Sequence, residues 1–304
     1  MADFYCNIDT GNDSNAGTQL APFKTFQKGI QSVAAGDTLY MAASLTPYAW
    51  FSTTIPTGVS IIGDVKPNPV SGMAVIIDGG GAARWFYYQG SITWQNVWIR
   101  NASNANYIMC TNRSTTGLIV QNYTDCIISD LSGTWGTAAR GGILAGGISV
   151  SSYAATSITY NLTNCLIFNI EATSIDGYGA LFVHGTGTQF YVNLTSCTWY
   201  KPVSSRKQLG AIVADYLFLV STVALKNCTL VNSSDYNLMI HGVFGGGLAS
   251  PSNCTLDGCT YTYINTTNAT ITNSTNADAQ FLDTGANDFR LKPNSPAIDR
   301  GVII

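Results

Sequence analysis

Charge is scarce in this chain. Lysine and arginine number 14 and aspartate and glutamate 17 among 304 residues, with only two histidines. No long basic run occurs, so the electrostatic footprint that nucleic-acid binding needs is missing. The densest basic group, Lys201, Arg206 and Lys207, reads as a solvated loop. No apolar stretch is long enough to span a bilayer. The start, Met1-Ala2-Asp3-Phe4, has no basic or apolar leader. Synthesis and folding in a cytoplasm are therefore expected, removal of a leader being the alternative. The eight cysteines include no Cys-x-x-Cys pair, which excludes the usual zinc spacings. Scarce Lys, Glu and Arg also argue against helices, which carry them on their outer faces. Asn, Ser, Thr and 30 glycines fill the polar positions instead, a balance suited to strands and tight turns.

What is present is a repeat. Six segments share one pattern: Trp94-Gln95-Asn96-Val97-Trp98-Ile99, Tyr123-Thr124-Asp125-Cys126-Ile127-Ile128 and Leu162-Thr163-Asn164-Cys165-Leu166-Ile167, followed by three more. These are Leu194-Thr195-Ser196-Cys197-Thr198-Trp199, Leu225-Lys226-Asn227-Cys228-Thr229-Leu230 and Leu256-Asp257-Gly258-Cys259-Thr260-Tyr261. Counted at the fourth residue, successive copies lie 29, 39, 32, 31 and 31 residues apart. A period near ~30 residues is that of a solenoid. Within each copy the fourth and sixth residues point to one face of a strand. The first and fourth share that face only if the alternation breaks between them. The third residue, Asn96, Asp125, Asn164, Ser196, Asn227 or Gly258, is the place for that break. Gly, Asn and Asp enter the left-handed region at least cost, and Ser196 fits least well. Each copy is therefore expected to be two short strands meeting at a one-residue corner.

The cysteines then read as core. Five of the eight fall in one inward column, and Cys packs as a small buried hydrophobe. Coils about 4.8 Å apart with parallel Cβ directions are poor geometry for a disulfide. Reduced thiols are expected.

A solenoid needs capped ends. Phe23, Phe26, Ile30 and Val33 fall at helical spacing between Pro22 and Ala35, with Gly36 as the stop. One amphipathic helix is expected there, with Asp37-Thr38-Leu39-Tyr40-Met41 starting the first strand. Thr10-Gly11-Asn12-Asp13-Ser14-Asn15-Ala16-Gly17-Thr18, Ala21-Pro22-Phe23-Lys24-Thr25-Phe26-Gln27-Lys28 and Ala35-Gly36-Asp37-Thr38-Leu39-Tyr40 resemble the N-terminal block of pectate-lyase-like right-handed parallel β-helix proteins. The segment Asp288-Phe289-Arg290-Leu291-Lys292-Pro293-Asn294-Ser295-Pro296-Ala297-Ile298-Asp299-Arg300-Gly301 resembles the block that often closes such chains. The expected fold is all-β: a single-stranded right-handed parallel β-helix with an N-terminal amphipathic capping helix. It forms one domain, with a cap over 1–36, coils over 37–280 and a closing segment over 281–304.

The resemblance spans lyases, hydrolases, adhesins and phage spike or fibre proteins, so it implies no single activity. Lyases of this fold use acidic calcium ligands beside a basic residue, and related hydrolases use close aspartates. Here Glu171, Asp176, Asp215, Asp235, Asp257, His184 and His241 are scattered and form no evident acid/base dyad. Asp176, His184, Asp215 and His241 are the catalytic candidates if they share one face. Asp9, Asn12, Asp13 and Asn15 are calcium candidates, although turns call for the same residue types. No other cofactor is expected. Arg140 marks the long insertion between Cys126 and Cys165, the best candidate for a protruding loop. Trp50, Trp85, Tyr87, Tyr88, Trp135 and Trp199 are candidates for stacking on sugars or for packing. Twelve Asn-x-Ser/Thr sequons occur, as chance allows in such a composition.

These features together favour a structural or receptor-facing virion protein, such as a bacteriophage tail fibre, spike or capsid decoration, on a virion or extracellular surface. The alternatives are a polysaccharide lyase or glycoside hydrolase acting on an acidic glycan, and a secreted adhesin or carbohydrate-binding protein. Expected partners are copies of itself, with a homotrimer as first guess, other virion proteins, or a cell-surface glycan. An apolar outward stripe along the coils would point to such self-assembly. Ice binding is a lesser alternative, since the Thr residues do not fill one outward column in every copy.

Overall fold

The computed structural model describes residues 1–70, 72–104, 109–111, 117–133, 144–145, 155–172, 181–184, 189–200, 203–204, 212–215, 220–231, 238–240, 253–261, 264–265 and 269–298. Short parallel strands stack coil upon coil into a right-handed parallel β-helix. The first long sheet runs Asp3–Cys6, Thr38–Met41, Val59–Gly63, Ile92–Gln95, Gly117–Thr124, Ala155–Thr163, Gln189–Thr195, Val220–Lys226, Asn253–Asp257 and Ala269–Thr272. The second runs from Tyr48–Ala49 through Val75–Asp78, Val97–Asn104, Ile127–Gly133, Leu166–Ala172, Thr198–Tyr200, Thr229–Val231 and Thr260–Tyr261 to Thr275–Asn276. Two four-stranded parallel sheets, Thr53–Ile55 to Leu144–Ala145 and Leu181–His184 to Ile264–Asn265, complete the coils.

The corner between the two long sheets is where the sequence places it. Asn96, Asp125, Asn164, Ser196, Asn227 and Gly258 have φ of 56°, 53°, 58°, 54°, 53° and 64°. Each corner N–H donates to a carbonyl of the next coil, as Asn164 N does to Thr195 O at 2.9 Å and Ser196 N to Lys226 O at 2.9 Å. Asn164 Nδ2 also donates to Asp125 Oδ1 at 3.0 Å, so side chains as well as backbones stack. A second left-handed corner follows at Asn101, Asp130 and Asn169, with φ of 56°, 53° and 52°.

The interior is a set of ladders. Leu39, Ile61, Trp94, Tyr123, Leu162, Leu194, Leu225 and Leu256 lie in register, each at most 1% exposed. Each such side chain contributes roughly 1.5–3 kcal/mol by leaving water. Beside them Cys126, Cys165, Cys197, Cys228 and Cys259 are buried free thiols. Cys165 Sγ donates to the carbonyls of Tyr123 and Thr163, both at 3.4 Å, and Cys197 Sγ to those of Leu162 and Thr195. Donation to carbonyl acceptors requires the protonated thiol. Burial holds Cys126 and Cys197 well above the ordinary thiol range.

The N-terminal end differs in detail from expectation. The helix spans Phe26–Ser32 rather than Pro22–Ala35, with Thr25 Oγ1 accepting from Lys28 N at its start. Pro22 and Phe23 stay outside it because Asp13 Oδ1 accepts the N–H groups of Lys24 and Thr25, each at 2.9 Å. Phe23 instead bridges to Cys6. The first strand is Asp3–Cys6, which precedes the helix and pairs with Thr38–Met41. Phe23, Phe26, Ile30 and Val33 are all buried over the first coil, as a cap requires.

The C-terminal segment folds back. Phe281–Asp283 and Asp288–Leu291 form an antiparallel hairpin against the outer face of the second sheet. There Ile76, Trp98, Ile127 and Leu166 make an apolar outward column in register. Phe289 packs with its ring tilted 4.8 Å from Phe168 and edge-on 5.2 Å from Tyr200. Ala74 packs at the other end of the same cluster. The apolar outward stripe thus exists, and the chain itself covers it, so it is no argument for a trimer.

Candidate functional site

The outer face of the first sheet is a flat polar grid. Strand alternation turns every second residue outward. Thr93, Asn122, Asn161 and Asn193 stand in register in one outward column. Asn193 Nδ2 donates to Asn161 Oδ1 at 2.9 Å, Asn161 Nδ2 to Asn122 Oδ1 at 3.0 Å, and Asn122 Nδ2 to Thr93 Oγ1 at 3.4 Å. These bonds hold each amide in one orientation. Alongside runs a second column, Gln95, Thr124, Thr163 and Thr195, and on the other flank Thr159, Tyr191 and Thr222. The grid repeats about every 4.8 Å across coils and about 6.7 Å along a strand. From Thr93 to Thr195 the two main columns carry no ionic side chain, and Lys226 and Asp257 mark the far end of the second.

The second column continues in the other direction through Ile62 to Tyr40 and Tyr5. Their rings stack at 5.1 Å with an interplanar angle of 18°. They line a cleft of about 510 Å³ together with Asn7, Gln19, Pro22 and Asp64. A second cleft, of about 600 Å³, opens where Lys66 and Asn68 face the C-terminal hairpin across Asn164 and Leu166. Its cations are already matched: Lys66 Nζ lies 2.5 Å from Asp125 Oδ1, and Arg290 Nη2 lies 2.6 Å from Asp288 Oδ2. The Arg290 guanidinium holds the Asp288 carboxyl below its ordinary range. This cleft therefore offers little net charge to an ion.

Of the catalytic candidates, His184 and Asp215 fall opposite one another on adjacent parallel strands, Leu181–His184 and Ile212–Asp215. Asp176 and His241 lie outside the described residues, as do Arg140, Trp135 and the Lys201, Arg206, Lys207 group. The calcium candidates serve the N-terminal turns. Asp9 Oδ1 accepts from Ser44 Oγ at 3.0 Å, Asn12 Oδ1 from Ser14 N at 3.0 Å, and Asn15 Nδ2 donates to Pro22 O at 2.9 Å. Burial opposes the charge of Asp13, but the Thr25 N–H and hydroxyl and the Lys24 N–H hold its carboxyl below the ordinary range. Among the described residues no three His, Cys, Asp or Glu side chains gather at metal-binding distance. Trp50, Tyr88 and Trp199 are buried in the core, while Trp85 and Tyr87 meet edge-on at 5.8 Å.

Neither the asparagine ladder nor the tyrosine pair is singled out by reading motifs one at a time. The signal lay in the sequons. Asn122-Tyr123-Thr124, Asn161-Leu162-Thr163 and Asn193-Leu194-Thr195 recur because Asn and Thr two residues apart both face outward, one in each column.

No curated protein matches the chain. Among solved structures it is similar to a PL6 family alginate lyase, AlyGC, at 13% identity and a TM-score of 0.41, covering 89% of this chain and 40% of that one. The chain thus spans about two fifths of that lyase's length. A rhamnogalacturonan lyase matches at 14% identity and a TM-score of 0.40, covering 92% and 75% of the two chains. A GH136 lacto-N-biosidase from Eubacterium ramulus matches at 10% identity and a TM-score of 0.25, covering 89% and 68%. A family model described as "Protein of unknown function (DUF1565)" matches residues 9–176, more than half of the sequence, and the chain belongs to that family.

Proposed function

We propose that this protein is a non-catalytic, receptor-facing surface protein of a virion or cell exterior that binds a neutral polysaccharide along its first long sheet. The observation that carries this reading is the oriented grid of Asn and Thr side chains spanning Thr93 to Thr195. Amides and hydroxyls are both donors and acceptors, as are the hydroxyls of a sugar chain. A face whose side chains already hold one another loses little rotamer freedom on binding. The absence of ionic groups in the two main columns over these coils favours a neutral chain over an acidic one. Assembly into a homotrimer or with other virion proteins belongs to the same proposal, through a surface other than the covered stripe.

The test is co-sedimentation with insoluble neutral and acidic polysaccharides. Retention on a neutral polymer, lost in the double variant Asn161→Ala/Asn193→Ala with an unchanged melting temperature, supports the reading. Equal retention of variant and wild type sinks it.

A second reading is an enzyme acting on an acidic glycan. It is favoured by the register that sets His184 opposite Asp215. New reducing or unsaturated ends from an acidic polysaccharide, abolished by His184→Ala or Asp215→Asn, would replace the first reading with this one.

A further inference from the structure

We propose that the cleft beside Tyr5 and Tyr40 is a terminal subsite that holds one neutral pyranose ring of the bound glycan. This deepens the glycan-binding reading and rests on it. The cleft lies where strands Asp3–Cys6, Thr38–Met41 and Val59–Gly63 end, so three successive coils build it. Its volume of about 510 Å³ is suited to a small ligand rather than a polymer.

The lining chemistry selects the occupant. Tyr5 and Tyr40 are half-buried on the outward column, and neither hydroxyl bonds to protein among the described residues. Their near-parallel contact turns one face of each ring onto the other and leaves no gap for a cation, so the pair offers a flat outer ring face and not an enclosing cage. A pyranose offers a flat C–H face to such a ring and hydroxyls at its rim. The rim groups are in place. Asn7 Oδ1 accepts the N–H groups of Asp9 and Thr10, both at 3.0 Å, which turns its Nδ2 away from its own loop. Asp64 Oδ1 accepts Ala43 N at 2.7 Å, and its second oxygen bonds to no protein group among the described residues. Among the described residues no Lys, Arg or His lines the cleft, which disfavours a phosphate or uronate, and Asp64 adds repulsion against either. The subsite is continuous with the grid because Tyr5, Tyr40, Ile62, Gln95 and Thr124 share one column.

Saturation-transfer NMR on the full chain tests this, with methyl β-glucopyranoside, methyl β-galactopyranoside and methyl α-mannopyranoside as probes. Wild type and Asn161→Ala/Asn193→Ala are expected to bind at least one probe equally. Tyr40→Ser should weaken it by about tenfold or more, whereas Tyr40→Phe, which keeps the ring, should stay within about threefold. Tyr5→Ser on the edge strand serves if Tyr40→Ser does not fold. The subsite is wrong if no probe receives saturation from wild type, if both serine variants bind undiminished, or if choline displaces the probe. Polymer retention that survives without any glycoside signal overturns the subsite alone. Glycoside binding with no polymer retention overturns the grid alone.

Discussion

Replacing Ser196 by Asn should make this protein more stable, and the corner geometry says by how much. Ser196 sits at φ 54°, in a column otherwise filled by Asn, Asp and Gly. The left-handed region costs an ordinary L-residue roughly 1–2 kcal/mol, a penalty that Asn largely escapes. Ser196 Oγ makes no hydrogen bond among the described residues, although Asn164 stands one coil below and already joins the side-chain stack through Asp125. An amide at position 196 extends that stack by one bond, worth about 0.5–1.5 kcal/mol. Together the two effects should stabilise by about 1.5–3.5 kcal/mol, or a rise of about 2–5 °C in melting temperature. Ser196→Gly separates them. It relieves the backbone but adds freedom to the unfolded chain worth about 0.4–1 kcal/mol, so it should stabilise by less than Asn, by about 0–1.5 kcal/mol. Thr195→Asn places the same amide one residue earlier on extended backbone and should bring no gain. The assay is thermal and urea unfolding followed by circular dichroism. If Ser196→Asn melts no higher than wild type, or no higher than Thr195→Asn, the corner account is wrong.

Three further outcomes are expected. The thiols of the central column should resist dithionitrobenzoate in the native protein and react once it is unfolded, since all five are buried and burial holds Cys126 and Cys197 above the ordinary thiol range; rapid native labelling would contradict the ladder. Burial acts to raise the Asp78 carboxyl, but Gly80 N–H, Arg100 and Asn101 bring it below its ordinary range. Its contribution is therefore present above the unfolded value near ~3.9 and lost as pH falls through the lower folded one. Melting curves between neutral and strongly acid pH should lose part of this dependence in Asp78→Asn, and identical profiles would exclude the pairing. Phe289→Ala should destabilise by about 1–3 kcal/mol and raise binding of an apolar dye, by uncovering Phe168 and Tyr200; no added dye binding would mean that the hairpin is not the cover.

The parts of the fold written by local chemistry were legible before any coordinates. A cysteine or valine after Asn, Asp, Ser or Gly names an inward position after a left-handed corner, and all six copies obey it. The second corner was as visible in principle, since Asn101, Asp130 and Asn169 each follow the first by five residues. In the later copies the pattern is uneven, with Lys201 at the matching place in the fourth, Asn232 in the fifth and Tyr263 in the sixth. The apolar spacing of Phe23 and Phe26 suits a cap lying flat on a coil whether or not the backbone between them is helical, so spacing alone overstates the helix, which spans Phe26–Ser32. The strand Asp3–Cys6 escaped notice because only pairing with Thr38–Met41 makes so short a segment a strand. The candidate site was less legible still. Tyr5 and Tyr40 are far apart in sequence and belong to no motif, and coil stacking alone brings them together.

The folded-back C-terminal hairpin has a consequence for the order of events during synthesis. Coils around Trp98, Ile127 and Phe168 leave the ribosome well before Phe281 and Phe289, and each coil can zip onto the one before it. Until those late residues arrive, a growing chain carries its aromatic flank bare to solvent. That interval is when two nascent copies on one message are most prone to adhere, and when a chaperone that grips apolar surface has something to hold.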